Sequence, residues 1–122
     1  MLISLDFSAD IPIYQQLRNQ IVMSIAVGDL KPGEKLPTIR VLSNELGINM
    51  MTVSKAYQLL KQEGYIASDR RHGAWVSAKT NEGAALRKLE DALRLCIAEA
   101  RVAGVSEETV VELTQKLYRE GV

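Results

Sequence analysis

A short basic run, Arg70, Arg71 and His72, stands between two apolar segments and is followed by Gly73. Guanidinium and imidazole groups donate hydrogen bonds to phosphate oxygens, and a glycine beside them lets the backbone approach a ligand closely. Such a tip can lie along a minor groove of DNA, where the negative potential attracts arginine and histidine. This run is therefore a first candidate for contact with a nucleic acid.

A second group of candidates surrounds the start of a predicted helix. Asn49 can cap that helix or hydrogen-bond to adenine, and Thr52 can bond to a phosphate or touch a thymine methyl group. Lys55 lies one turn further on, and Arg40 lies in the first turn of the preceding helix, where a phosphate or base-edge contact suits it. The predicted contact residues are Arg40, Asn49, Met50, Met51, Thr52, Lys55, Arg70, Arg71, His72 and Gly73.

Each candidate also has a purely structural interpretation. Arg40 could pair with Glu34 or Glu45 on a solvated face. The two methionines could fill gaps between helices, which is a common use of this side chain. His72 is the one histidine of the sequence and could simply be solvated on a turn, and Asn49 could be a cap alone.

The elements that position these residues follow from local patterns. Thr38 is a suitable N-cap for a short helix over residues 39–46, and the turn at 47–49 begins with glycine. A second helix is predicted over residues 50–63. Two short helices joined by such a turn form a helix-turn-helix, here over about 38–63, whose second helix enters the major groove with its N-terminus first.

Further elements flank this motif. A short strand is predicted from Leu2 to Phe7, and a helix is predicted to begin at Asp10 and Pro12 and to end at Gly28. Residues 65–77 predict a small hairpin, the wing, with the basic run at its tip. The residues predicted to face the core are Tyr14, Leu17, Ile21, Ile25, Leu42, Leu46, Val53, Ala56, Tyr57 and Leu60.

Residues 79–122 form a separate region with apolar residues at helical spacing. Two helices are predicted, one ending at Gly104 and one capped by Ser106. Because two such helices bury little alone, their apolar faces favour a homodimer interface over packing against the rest of the chain. Cys96 lies beside this stripe and is expected to be a small buried residue. The predicted interface residues are Leu86, Leu89, Leu93, Ile97, Ala100, Val110, Leu113 and Leu117.

Composition limits the function. The chain of 122 residues is 47% hydrophobic and 25% charged, a globular composition, and its formal net charge of zero means that DNA binding depends on where basic groups lie. No apolar run approaches the ~20 residues of a membrane span, and no signal peptide is evident, so the cytoplasm is expected. A single cysteine and the lack of a nucleophile–base pair or phosphate-binding loop predict no enzyme, no metal and no cofactor.

The chain also carries an ordered set of residues across positions 11–78. They are Gly28, Leu30, Pro32, Gly33, Leu36, Pro37, Thr38, Arg40, Leu42, Leu46, Gly47, Ile48, Thr52, Val53, Ala56, Tyr57, Leu60, Glu63, Gly64, Gly73 and Val76. In identity and spacing this set resembles the GntR family of bacterial regulators. The N-terminal strand, the Pro12-x-Tyr14-x-Gln16 start and the short C-terminal region look like its YtrA subfamily.

The resemblance implies a mainly helical α+β protein, with a winged helix-turn-helix over residues 1–78 and a two-helix dimerisation region over 79–122. It implies a homodimer that binds an inverted repeat in double-stranded DNA and represses an operon, often one encoding an ABC transporter. The family's DNA contacts, carried onto matching positions, are Arg40, Asn49, Thr52, His72 and Gly73.

Two features depart from the family pattern, a pair of methionines and one arginine of the wing. Met50 and Met51 stand where the family usually has Pro-Asn or a pair containing arginine. Methionine cannot make the bidentate guanine contact of arginine, worth roughly 1–3 kcal/mol of discrimination, so an apolar or weak base preference is expected there. Arg71 stands where the wing often has a first glycine, which leaves the geometry of the hairpin open.

Two further questions are left open by the residues. A winged module for protein–protein contact is the alternative function, although it would favour acidic or apolar groups where the basic tip stands. A small-molecule effector is the other open point, because the C-terminal region is too small to enclose a drug-sized cavity of a few hundred Å³ in one subunit. Such a ligand would lodge between subunits and change the angle between the winged domains through the linker at 78–84.

Overall fold

The computed structural model describes residues 1–78 and 81–121 and divides the chain into two compact units, Met1–Lys79 and Thr80–Val122. The predicted linker at 78–84 thus lies partly outside the described residues. The fold is mainly helical α+β, as predicted. Its elements are α1 (Ile13–Ala26), α2 (Ile39–Leu46), α3 (Met50–Gln62), β1 (Ile66–Asp69), β2 (Gly73–Val76), α4 (Glu82–Val102) and α5 (Glu107–Arg119).

The core of the first unit lies between α1 and α3, with α2 and the wing closing its sides. Leu17 and Ile21 of α1 meet Val53 and Leu60 of α3, and all four side chains are fully buried. Burial of each leucine or isoleucine contributes about 1.5–3 kcal/mol. The remaining predicted core residues are buried or pack against the core as half-buried side chains. The predicted helical faces are therefore confirmed.

Local capping explains why α2 and α3 have the bounds that the sequence predicts. The Thr38 side chain accepts a hydrogen bond from the Val41 N–H at 3.1 Å, and the Asn49 side chain accepts one from the Met51 N–H at 2.7 Å. Gly47 ends α2 in the left-handed region at φ 66°, which is costly for a residue with a Cβ atom. The helix-turn-helix is confirmed.

The wing is an antiparallel hairpin in which Ile66 pairs with Val76 and Asp69 pairs with Gly73. A third segment, not predicted from the sequence, runs beside β2 through a bridge between Lys35 and Trp75. The bridge ties the loop before α2 to the wing.

The segment before α1 differs from the prediction. The backbone N–H of Ser4 donates to Gln20 Oε1 at 2.7 Å, and Gln20 Nε2 donates back to the Ser4 carbonyl. Asp6 and Gln16 repeat this exchange at 2.9 Å in both directions. The strand expected over 2–7 is wrong, because glutamine side chains of α1 take the place of a neighbouring strand.

The start of α1 also differs. The N-cap residue is Pro12, whose carbonyl accepts from the N–H groups of Gln15 and Gln16 at 3.0 and 3.1 Å, and no side chain caps the helix. From the sequence, an oxygen of Asp10 is expected to accept the first free N–H groups of this helix. This prediction is wrong, because Pro12 occupies the N-cap position and no side chain caps the helix.

The second unit consists of two helices without a core. Neither α4 nor α5 contains a buried residue, although both are capped as helices, α5 by Ser106 as predicted. Cys96, expected to be buried, is exposed in the single chain. The predicted apolar stripe is present on the helices, and its side chains are exposed or half-buried.

Candidate nucleic-acid interface

The first turn of α3 presents its side chains outward. Met51 is 79% exposed and Met50 is 44% exposed, so Met51 does not fill a gap between helices. Asn49 is exposed while it caps the helix, and Thr52 is half-buried. No acidic residue lies in the first turn of α3, so the partial positive charge of the helix N-terminus is not neutralised there.

Arg40 is exposed in the first turn of α2, just after the Thr38 cap. It forms no ion pair within residues 1–78 and 81–121, so its pairing with Glu34 or Glu45 is not seen. The start of α2 is held against α3 by the Tyr57 hydroxyl, which donates to the Pro37 carbonyl at 2.7 Å. Burial raises the pKa of Tyr57, which keeps this hydroxyl a donor.

Lys55 has a partner that the sequence did not predict. Its Nζ atom lies 4.0 Å from the centroid of the Tyr14 ring, a cation–π contact between α3 and α1. Lys55 is exposed, and the Tyr14 ring orients its ammonium group. A phosphate contact by Lys55 would therefore use a side chain that α1 has already positioned. The two residues are far apart in sequence, and no local pattern joins them.

A second cation also braces α1 against α3. Arg18 donates to both carboxylate oxygens of Glu63, at 2.9 and 2.8 Å, and its guanidinium lies 5.4 Å from the centroid of the Tyr65 ring. Hydrogen bonding to Glu63 raises the pKa of Arg18. This arginine was not a predicted contact residue, and its bidentate pairing gives it a structural role.

The tip of the wing exposes Arg70, Arg71 and His72. Gly73 follows at φ 73°, and no other described residue of the wing has a positive φ. Arg71 therefore fits where the family often has glycine, because the three-residue loop at 70–72 is followed by Gly73, which takes the left-handed conformation that closes the hairpin. Asp69, which was not a predicted site residue, accepts a hydrogen bond from the backbone N–H of His72 at 2.5 Å.

All ten candidate residues thus lie in the first unit, in two groups: one along the α2–α3 turn and one at the wing tip. Nine of them are exposed and Thr52 is half-buried. Among the described residues no group of His, Cys, Asp or Glu has the arrangement of a metal site. None of the helices described is long and apolar enough to span a membrane.

Comparison with known families decides the classification. The family model of the bacterial regulatory proteins of the gntR family matches residues 13–76, from the start of α1 to the end of the wing. The chain belongs to the GntR family. It is therefore a DNA-binding transcriptional regulator.

Similar proteins extend the match to nearly the whole chain. The HTH-type transcriptional repressor YtrA of Bacillus subtilis is 36% identical over 95% of this chain and 92% of its own. A solved structure of YtrA from Sulfolobus acidocaldarius, a GntR-family transcription factor, is 38% identical, with a TM-score of 0.69 over 84% of this chain and 99% of that chain. A structure described as a transcriptional antiterminator from Listeria monocytogenes EGD-e has a TM-score of 0.89 at 26% identity, over 99% of this chain and 92% of that chain.

The family model and the two YtrA proteins confirm the GntR family and the YtrA type that the residues resemble. They also confirm the winged helix-turn-helix and the classification as a regulator rather than an enzyme. The individual DNA-contact residues and the dimer interface stay predictions.

Proposed function

We propose that this protein is a homodimeric repressor that binds an inverted-repeat operator. Residues 1–78 form its DNA-binding domain, and residues 79–122 form its dimerisation region. In each half-site the first turn of α3 enters the major groove, and the tip of the wing lies along the adjacent minor groove. The observation that carries this proposal is the exposed first turn of α3, which holds Met51 outward and contains no acidic side chain.

The chemistry of the contact residues supports two separate roles, base recognition and phosphate binding. Asn49 and Thr52 offer hydrogen bonds to base edges, and the methionines between them offer apolar contact with thymine methyl groups. Arg40, Lys55 and the arginines of the wing supply phosphate contacts, which position the protein without reading sequence. A net charge of zero does not oppose this role, because the basic candidates lie together along the α2–α3 turn and at the wing tip.

The dimer is supported by the uncovered apolar faces of α4 and α5. Leu86 is 62% exposed and Leu113 is 54% exposed, and the other predicted interface residues are exposed or half-buried. An open cleft of about 790 Å³ at the α4–α5 turn, lined by Ile97 and Val110 among others, adds room for side chains of a partner. A second copy that covers these faces gives the region the core that it lacks alone.

The proposal includes repression of transcription and a two-fold symmetric operator. The similar protein from Bacillus subtilis is named a repressor. A two-fold dimer presents two α3 helices about one turn of DNA apart, roughly 34–36 Å, which matches an inverted repeat. An effector bound between subunits remains a prediction.

Selection of duplexes from a random DNA pool tests the proposal. Enrichment of an inverted repeat, with log K falling against log salt by roughly 0.9 per phosphate contact, supports it. Recovery of no common sequence, with weak salt dependence, would favour the protein–protein module instead. A reporter gene behind the selected sequence then separates repression from activation.

A further inference from the structure

The carboxylate of Asp69 holds the imidazole of His72 at the tip of the wing. Asp69 Oδ1 accepts the backbone N–H of His72 at 2.5 Å. The two carboxylate oxygens also lie 3.0 and 3.2 Å from ring atom Nδ1. Both side chains are about half exposed, so the pair stands at the surface where the wing would meet DNA.

This contact decides which ring nitrogen carries the proton. An ionised carboxylate has acceptor atoms only, so Nδ1 must be the donor. Hydrogen bonds from His72 lower the pKa of Asp69, which keeps the carboxylate ionised at neutral pH. In the neutral ring Nε2 is then unprotonated and acts as an acceptor.

An acceptor at this position distinguishes base pairs in the minor groove. There A·T pairs present only the acceptors adenine N3 and thymine O2, whereas G·C pairs add one donor, the 2-amino group of guanine. A neutral His72 with Nε2 as acceptor can bond to that amino group and finds no partner on A·T. Without Asp69 the ring could expose an N–H instead, and the preference would reverse.

We propose that Asp69 is a positioning residue that presents Nε2 of the neutral His72 ring as an acceptor and thereby makes the wing prefer a G·C pair. The inference rests on the proposed function, because it needs the wing tip in the minor groove. Arg70 and Arg71 are the other charged groups of the tip, and they only donate. Asp69 is the one charged group within hydrogen-bond distance of the His72 ring in the part of the chain that the structure describes.

The first test needs no DNA. The chain has a single histidine, so ¹⁵N NMR of the full chain reports this ring alone. At a pH where the spectrum shows a neutral ring, we expect the proton on Nδ1 in the wild type. In Asp69→Asn the amide oxygen still accepts the backbone N–H, but the amide nitrogen faces Nδ1, so the proton should move to Nε2. A wild-type ring protonated on Nε2 would overturn the inference.

The second test uses the duplex recovered from the random pool. Inosine lacks the 2-amino group of guanine and keeps its major-groove edge, so it is placed at each guanine under the wing in turn. Wild type should lose roughly 3- to 10-fold in affinity at one such position, the size of one hydrogen bond. Asp69→Asn and His72→Ala should lose none there, and inosine under α3 serves as the matched control position.

The outcomes separate the two proposals. If no duplex binds with salt-dependent affinity, the proposed function fails, and the base preference of the wing fails with it. If the selected duplex binds but inosine costs nothing in the wild type, or costs the same in Asp69→Asn, only the role of Asp69 is wrong. Circular dichroism of Asp69→Asn checks that the substitution leaves the fold intact.

Discussion

The two units of this chain treat their apolar residues in opposite ways. In the winged unit Leu17, Ile21, Val53 and Leu60 are fully buried against one another. In the C-terminal unit the helices have an equally regular apolar stripe, yet no residue of either helix is buried. Periodicity therefore shows which face is apolar, but not which chain will cover it.

The difference has a thermodynamic consequence. A core within one chain is stable at any protein concentration, whereas a core shared by two chains gains stability as concentration rises. The winged unit should unfold at a fixed temperature, and α4 with α5 should follow the monomer–dimer equilibrium. The following substitutions test this contrast.

The largest effect is expected from Leu93→Asp combined with Ile97→Asp. Each side chain should lose its burial against the second copy and place a charge there, for a total of at least about 4 kcal/mol. Sedimentation should show monomers at concentrations where the wild type forms the proposed dimer. Leu95→Asp is the matched control, because Leu95 lies on the opposite face of α4 and is 64% exposed. Persistent dimers in the double variant would place the interface elsewhere.

Leu60→Ala should destabilise the winged unit without affecting the C-terminal unit. Truncation of this fully buried leucine leaves a cavity and should cost about 2–5 kcal/mol in the free energy of unfolding of the winged unit. Thermal unfolding followed at several protein concentrations measures it, and the dimerisation constant should stay unchanged. Leu2→Ala, at a residue 95% exposed, should have almost no effect. A weakened dimer in Leu60→Ala would mean that the two units do not behave independently.

Arg40→Ala should weaken operator binding by roughly 1–3 kcal/mol while leaving both the fold and the dimer intact. The side chain is exposed and forms no ion pair in the described residues, so its loss removes nothing structural. Gel-shift titration measures the change, with Arg87→Ala on α4 as the control. Unchanged affinity would remove Arg40 from the site.

The smallest effects are expected from removing one N-cap side chain in each unit. The side chains of Thr38 and Ser106 each accept a backbone N–H at 3.1 Å, so Thr38→Ala and Ser106→Ala should each cost about 1 kcal/mol. The loss at Thr38 should lower the unfolding temperature equally at all concentrations. The loss at Ser106 should appear as a weaker dimer. Equal, concentration-independent losses in both variants would contradict the contrast between the units.

Local chemistry explains how much could be predicted. The bounds of α2 follow from Thr38 and Gly47, and the start of α3 follows from Asn49, because a cap acts within a few residues of its helix. The wing likewise follows from two short apolar segments and the turn between them. These elements include most of the predicted contact residues, so local patterns are enough to place the candidate site in the sequence.

Long-range contacts explain the rest. The N-terminal segment depends on Gln16 and Gln20, and the Lys55 ammonium depends on Tyr14, partners that only the folded chain brings together. Asp69 is different, because an aspartate three residues before a histidine in a hairpin is a local pattern and could have been found. Exposure of the C-terminal stripe is a property of the single chain, which a periodic pattern does not reveal.

The hydrogen bonds from Gln16 and Gln20 of α1 to the N-terminal segment have a practical consequence for salt titrations. They join neutral side-chain amides to backbone groups at Ser4 and Asp6. High salt should weaken the proposed phosphate contacts, but it should leave these hydrogen bonds intact. The exchange rates of the Ser4 and Asp6 amide hydrogens can therefore be measured as a control for folding. Slow exchange at high salt would show that the domain is still folded when DNA dissociates.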